Sequence, residues 1–147
     1  MAKEYSSKVA VNLDKILNMQ IAQRETYEKG LVKYNNQALI GALGPVSSVL
    51  GILFIQSTPV SVATAIGGLI STVLSPSLKE MLKEMVYNGY YQMGEIVSFL
   101  KNNSKYDLCE VDFPFIEYTV DGKIIRWVTG KGRVTKIHVK GGGWITM

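Results

Sequence analysis

The chain has very little of the residues on which most metal and catalytic sites depend. It holds one cysteine, Cys109, and one histidine, His138, among 147 residues. A single cysteine excludes an intramolecular disulfide, and the two counts together exclude a zinc site of the common Cys/His composition. For Cys109 and His138 themselves we expect a buried core thiol and an imidazole on a strand face.

Other features of an enzyme are also missing from the sequence. No nucleophile–base pair can be assembled, and the glycines at 130, 132 and 141–143 are not followed by the Gly-Lys-Ser/Thr of a phosphate-binding loop. We therefore expect a protein that is not an enzyme, that needs no cofactor or metal, and that has no small-molecule substrate.

The N-terminal residues carry mixed charges and lack the apolar core of a signal peptide. We expect a protein made in the cytoplasm that stays there, associates with a membrane, or is released by a route that needs no signal.

Charge is absent from a long central block, because no Asp, Glu, Lys, Arg or His lies between Lys33 and Lys79. In a small soluble domain, charged residues normally mark the solvent face of each helix. A block of this kind is buried either in a protein core or in a lipid bilayer.

The helical part of the chain covers residues 1–104. Apolar residues at three- and four-residue steps predict helices over 7–35 and 77–102. Between them, residues 37–55 and 60–74 are apolar on all sides, and the turn at 56–59 predicts that they form a helical hairpin.

The period of the apolar residues changes to two after residue 104. Segments 115–120, 123–128 and 133–139 are predicted strands, and 144–146 is a short fourth. Asp121-Gly122 is a tight-hairpin signal. We thus predict one α+β domain over 1–147: four helices with a central apolar hairpin at 38–74, then an antiparallel β-meander of three to four strands within 105–147.

The hairpin has two interpretations. Its arms are somewhat shorter than the roughly 20 residues of a bilayer-crossing helix, but an uncharged tip can enter a membrane without carrying charge across it. In composition and layout the block, about a third of the chain, resembles the apolar helical hairpin of colicin-type pore-forming domains. The residues predicted to contact the membrane are Leu39, Ile40, Leu43, Val49, Leu50, Leu53, Phe54, Ile55, Val60, Val62, Ile66, Leu69, Ile70, Val73 and Leu74.

The alternative is a soluble helical core in which the small and apolar residues of the block serve close packing. A third possibility is self-association, since an exposed apolar surface of this size would have to be covered.

The C-terminal segment is basic, because every charged residue after Asp121 is Lys or Arg. Cations next to tryptophans can contact anionic lipid or stack on single-stranded nucleic acid, although no RNA-binding signature favours the latter. They can also be solvated positions that protect strand edges. The residues predicted to bind an anionic partner are Lys123, Arg126, Trp127, Lys131, Arg133, Lys136, Lys140 and Trp144.

Our first functional hypothesis is a small membrane-active protein of the pore-forming or lysis type, such as a bacterial or phage toxin, that prefers anionic bilayers. The alternative is a soluble, non-enzymatic binding or structural module whose basic sheet engages an anionic partner.

Overall fold

The computed structural model describes residues 2–147, and it combines helices with a five-stranded antiparallel sheet. The α+β class is thereby confirmed. The elements are β1 (Ala2–Val11), α1 (Leu13–Glu25) continued by a π-helical segment (Thr26–Val32), α2 (Asn36–Leu43), a 3-10 segment (Gly44–Val49), α3 (Leu50–Phe54), α4 (Pro59–Thr72), α5 (Pro76–Asn102), β2 (Tyr106–Val120), β3 (Lys123–Val128), β4 (Arg133–Val139) and β5 (Trp144–Thr146).

The N-terminus corrects the prediction of one helix over 7–35. Residues up to Val11 form β1, and the helix begins only at Leu13. β1 pairs with β2, and its side chains at Tyr5, Ser7, Val9 and Val11 lie on one face of the strand, so the apolar period here is two. The spacing of four residues between Val9 and Leu13 had indicated a helix instead. Asn12 caps the helix by accepting from the backbone N–H of Lys15.

The sheet is not the predicted meander, because the long strand β2 lies at its centre. β1 pairs with β2 along its whole length on one side. On the other side β3 pairs with the second half of β2 and β4 with the first half. Pro114 lies where β3 ends and β4 has not begun, so its missing N–H interrupts no strand pairing. A sheet that takes its first strand from the N-terminus lies only partly within 105–147.

The apolar hairpin is present in part. α2 and α4 pack against each other as its two arms, but the first arm is not one helix. A 3-10 segment begins at Gly44 with Pro45 in its first turn, and Val46 leaves helical geometry at φ −112° and ψ 19°. A proline cannot donate to the preceding turn, and this explains the break.

Helix α5 matches its prediction closely. Its N-cap is Ser75, whose hydroxyl accepts from the backbone N–H of Leu78. α5 packs along α1, and the two helices cover the sheet with α3 and α4. Buried side chains from the helices and from β1–β4 belong to one apolar cluster.

The second half of β2 is covered on both of its faces. Phe115 and Ile116 are consecutive in the strand and point to opposite faces, yet both are buried. Arg126 reaches from the Phe115 face to α3, while a Cβ on Gly68 of α4 would touch Val120 on the Ile116 face. The helices therefore wrap around β3 at this end of the sheet.

Candidate functional site

The large apolar side chains of the hairpin point mainly inward. Ile40, Ile70 and Val73 are half-buried, while Ile55 and Val60 are 40% and 58% exposed. The other predicted membrane residues are buried in the shared core: Leu39, Leu43, Val49, Leu50, Leu53, Phe54, Val62, Ile66, Leu69 and Leu74.

The outward face of the hairpin is uncharged and made mostly of small residues. One helical stretch, Asn36–Phe54, is long and apolar enough to cross a membrane, with a mean hydropathy of 1.7, and 39% of that window is buried. Around the α3–α4 turn, Ile52 (38% exposed) joins Ile55 and Val60 as exposed apolar side chains. We call Ile52, Ile55, Val60 and the turn 56–58 the uncharged tip.

The uncharged tip is anchored to strand β3. Gln56 Nε2 donates to the Ile124 carbonyl at 2.6 Å. Arg126 Nη2 donates to the Ile52 carbonyl at 2.7 Å, and Arg126 Nε donates to the Leu53 carbonyl at 3.3 Å. A cation at the C-terminal end of a helix complements its dipole. Arg126 thus fixes the end of α3, and Ile55 turns the chain there at a left-handed φ of 73°.

Two of the residues predicted to bind an anionic partner contact other parts of the chain: Trp127 is buried and Arg126 is half-buried. The Arg126 guanidinium lies 3.8 Å from the centre of the Phe115 ring and donates to Tyr5 Oη at 3.1 Å. Trp127 is fully buried, and its indole N–H donates to Thr26 Oγ1 at 3.1 Å. Both side chains therefore serve the packing between β3 and the helices.

Two other cations have acidic neighbours. Lys131 Nζ lies 3.5 Å from Glu95, and Arg133 lies 3.7 Å from Asp112. These pairs are solvent-exposed on the cationic side and reduce the positive charge at that end of β4.

The remaining predicted residues are exposed, namely Lys123, Lys136, Lys140 and Trp144. Trp144 pairs with His138 across β4 and β5, and the two rings meet edge to face at 5.2 Å. His138 Nδ1 lies 2.6 Å from an Asp107 carboxylate oxygen, and this hydrogen bond lowers the pKa of Asp107. Lys136, two residues from His138, shares its strand face.

The lone cysteine lies on the other side of this sheet from the lone histidine. Cys109 pairs with Ile137, and His138 follows on the opposite face. Burial raises the pKa of the Cys109 thiol to about 11, so the thiol is protonated and unreactive at neutral pH. Between residues 2 and 147, no group of three or more His, Cys, Asp or Glu side chains could hold a metal ion.

An aromatic cluster between the π-helical segment and α5 was not predicted from the sequence. Tyr27, Tyr87, Tyr90 and Tyr91 form ring contacts with centroid distances from 5.2 to 6.3 Å. Tyr91 is 66% exposed. The spacing of three and four residues in α5 puts Tyr87, Tyr90 and Tyr91 on neighbouring positions of one helix side, which is the signal that could have found them.

Comparison with protein-family models, with curated proteins and with solved structures found no match to this chain.

Proposed function

We propose that the protein acts at membrane surfaces and that the uncharged tip is its first contact with lipid. The observation that carries this proposal is the exposure of Ile52, Ile55 and Val60 around a turn that has no charged residue. Apolar side chains exposed around a turn without charged residues are typical of membrane or protein contacts. The turn itself carries no charged group that would have to leave water on contact with lipid.

Contact by the tip leaves the fold intact, whereas insertion of the whole hairpin does not. Withdrawing the arms from the core would break the Arg126 bonds to α3 and the Gln56 bond to β3. It would also expose buried side chains of the sheet that the hairpin covers, such as Val120, which lies against Gly68 of α4. Full insertion is therefore a second step that follows surface binding.

The finer form of the proposal is a pore-forming or lysis-type protein, such as a bacterial or phage toxin. In that case the arms 38–55 and 60–74 enter the bilayer, and α1 and α5 are the elements that release and cover them. The absence of charge in both arms supports this second step, since neither arm would have to bury an ion.

Co-flotation with vesicles tests the proposal. Purified protein is mixed with phosphatidylcholine vesicles or with vesicles that contain phosphatidylglycerol, at neutral and mildly acidic pH and without detergent. We expect flotation that survives a high-salt wash. V60E places a carboxylate on the tip at an exposed position, and we expect roughly tenfold weaker binding.

The matched control is Y91E, which makes a similar change at an exposed residue of α5 outside the tip. We expect Y91E to float like the unchanged protein. G51K is a second tip-side variant, because Gly51 is exposed and a Cβ there meets Ser57 at 3.6 Å. Ala65 in the second arm is not a suitable site for an acidic substitution, because it is 1% exposed and the change would disturb the core. Equal flotation of V60E, G51K and Y91E would contradict the tip as the lipid contact.

A second candidate function is binding of an anionic partner by the exposed part of the basic sheet. The observation that favours it is the shared solvent face of Lys136, His138 and Trp144 on β4 and β5. Binding of this kind weakens with salt. Flotation that is lost in salt, and that falls with K136E but not with V60E, would favour this candidate over the first.

A further inference from the structure

The outer edge of β1 carries a row of backbone groups without a strand beside them. β1 is ten residues long and forms one end of the sheet order. An edge strand of this length is a template for pairing with another strand. All its even-numbered residues are exposed, namely Ala2, Glu4, Ser6, Lys8 and Ala10, and Lys3 near its start is exposed as well.

The direction of the backbone groups of β1 follows from the pairing of β2. The Pro114 carbonyl accepts from the Thr129 N–H at 2.9 Å, on the side of β3 and β4. In an antiparallel strand both backbone groups of a residue point to the same side, and successive residues alternate. The backbone groups of the odd-numbered residues of β2 from Cys109 to Glu117 therefore face β1.

The β1–β2 register joins odd-numbered residues to odd-numbered residues, as in Tyr5 with Phe115 and Val9 with Val111. The odd-numbered residues of β1 are thus bonded to β2. The even-numbered residues direct their N–H and C=O groups away from the sheet, and their side chains are all exposed.

We propose that two copies of this chain pair through their β1 edges, antiparallel and about a two-fold axis at Ser6. Hydrogen bonds between the copies require even-numbered residues to face even-numbered residues. The longest two-fold register that meets this condition runs from Ala2 to Ala10, with Ser6 opposite Ser6. A register that used all ten residues would set even against odd and lose the hydrogen bonds.

Charge complementarity supports the same register independently. It sets Glu4 of each copy opposite Lys8 of the other, so the dimer gains two cross-strand pairs of opposite charge. Registers centred on Tyr5 or Ser7 would set Glu4 opposite Ser6 or Ala10. Within residues 2–147 neither Glu4 nor Lys8 takes part in an ion pair, which leaves both available.

Sedimentation analysis over a concentration series tests the pairing with a charge-swap design. We expect the unchanged protein to dimerise. E4K or K8E alone places like charges opposite each other twice, and we expect the dissociation constant to rise roughly tenfold. A mixture of the E4K and K8E proteins should form heterodimers, because each then meets its complement, and the double variant E4K/K8E should recover dimerisation.

A cysteine at the two-fold axis gives a second measurement. In the proposed dimer the two Ser6 Cα atoms form a hydrogen-bonded pair about 5.5 Å apart, which is within disulfide range. S6C should therefore form disulfide-linked dimers under mild oxidation. E4C is the matched control, because its two Cα atoms would be about 14 Å apart. Cys109 is buried and does not compete.

A chain that stays monomeric over the whole concentration range, with no more cross-linking of S6C than of E4C, would overturn the proposal. Dimers that E4K and K8E leave unchanged would also overturn it, because they would have to form through another surface. Thermal unfolding of each variant confirms that it is folded before its mass is measured.

Discussion

β3 and β1 each have one edge that pairs with no other strand. The backbone groups at the β3 edge are hydrogen-bonded by a side chain of a helix, whereas the residues at the β1 edge are exposed. At β3 the Gln23 side chain accepts from the Val128 N–H at 3.1 Å and donates to the Val128 carbonyl at 2.7 Å. An amide side chain thus takes the place of a neighbouring strand. At β1 the outward residues are exposed. The difference shows that this fold closes one edge with its own helices and leaves the other open.

Closure of the β3 edge depends on a close approach of two helices. Gln23 is fully buried in α1, and its Nε2 also donates to the Val86 carbonyl of α5 at 3.0 Å. At Gly89, one turn further along α5, a Cβ would lie 1.8 Å from the Val128 carbonyl oxygen. Gly89 therefore allows α5 to touch the strand edge that Gln23 completes.

The largest expected effect comes from G89A. The new methyl group would meet backbone atoms of β3, so α5 must move and the Gln23 contacts must loosen. We expect a loss of about 3 kcal/mol of unfolding free energy, measured by denaturant titration. G94A in the same helix is the control, because its Cβ would meet only the Gln20 amide at 3.4 Å. G94A should be neutral or stabilising by up to about 1 kcal/mol, and equal losses for both variants would contradict the close approach.

Replacing Gln23 tests the hydrogen bonds rather than the packing. Q23M keeps a similar volume but leaves the buried N–H and C=O of Val128 without their partner. We expect a loss of about 2–3 kcal/mol by the same titration. Q20M, three residues earlier, removes one bond, to the Tyr90 carbonyl, from a half-buried site. A Q23M protein as stable as Q20M would show that the β3 edge does not need its side-chain cap.

Proline substitutions in β1 sharpen the contrast between its two sides. S6P removes an N–H that points away from the sheet, so we expect the monomer to lose no more than about 1 kcal/mol of unfolding free energy. S7P removes an N–H bonded to β2 and should cost about 2 kcal/mol or more. S6P should also abolish dimerisation. Similar unfolding midpoints for the two variants would contradict the assigned strand register.

The smallest effect concerns Asp107 of β2, which is hydrogen-bonded to His138 of β4. Its hydrogen bond from His138 lowers the pKa of Asp107 in the folded chain below the ordinary value of 3.8. The ionised carboxylate therefore stabilises the fold above about pH 4, and this contribution is lost as the pH falls through the lowered pKa. In D107N the unfolding free energy, measured by denaturant titration at several pH values, should fall less steeply below about pH 4. D121N, at the exposed β2–β3 turn, should show the same fall as the unchanged protein. An identical pH dependence of the unfolding free energy for D107N and the unchanged protein would show that ionised Asp107 does not stabilise the fold.

The sequence predicted the coarse class, α5, β3, β4 and β5, because each has a clear period and a turn or cap at its ends. It did not predict β1, because Val9 and Val11 come directly before an amphipathic helix. The spacing of four residues from Val9 to Leu13 fits both the period of two of a strand and the period of 3.6 of a helix. The partner of β1 lies a hundred residues away in sequence, at Cys109–Tyr118, and local patterns carry no such information. The meander was wrong for a related reason: the two halves of β2 pair with different strands, which depends on contacts between segments distant in sequence.

The candidate site shows the same division. Alternation predicted that cations and aromatics occur on the strands, but it did not show that helices cover both faces of β3. Trp127 is therefore buried and Arg126 half-buried against α3, while Lys136 and Trp144 are exposed. Gln23 attracted no functional prediction, because a glutamine in an amphipathic helix normally faces water.

Hydrogen exchange of single backbone amides, followed against protein concentration, tests the contrast between the two edges most directly. At low concentration we predict slow exchange at Val128 and at Ser7, and fast exchange at Glu4, Ser6 and Lys8. Raising the concentration should slow exchange at these three even-numbered residues of β1 and leave Val128 unchanged. Fast exchange at Val128, or β1 amides that do not respond to concentration, would contradict an edge closed at β3 and an edge left for a second copy at β1.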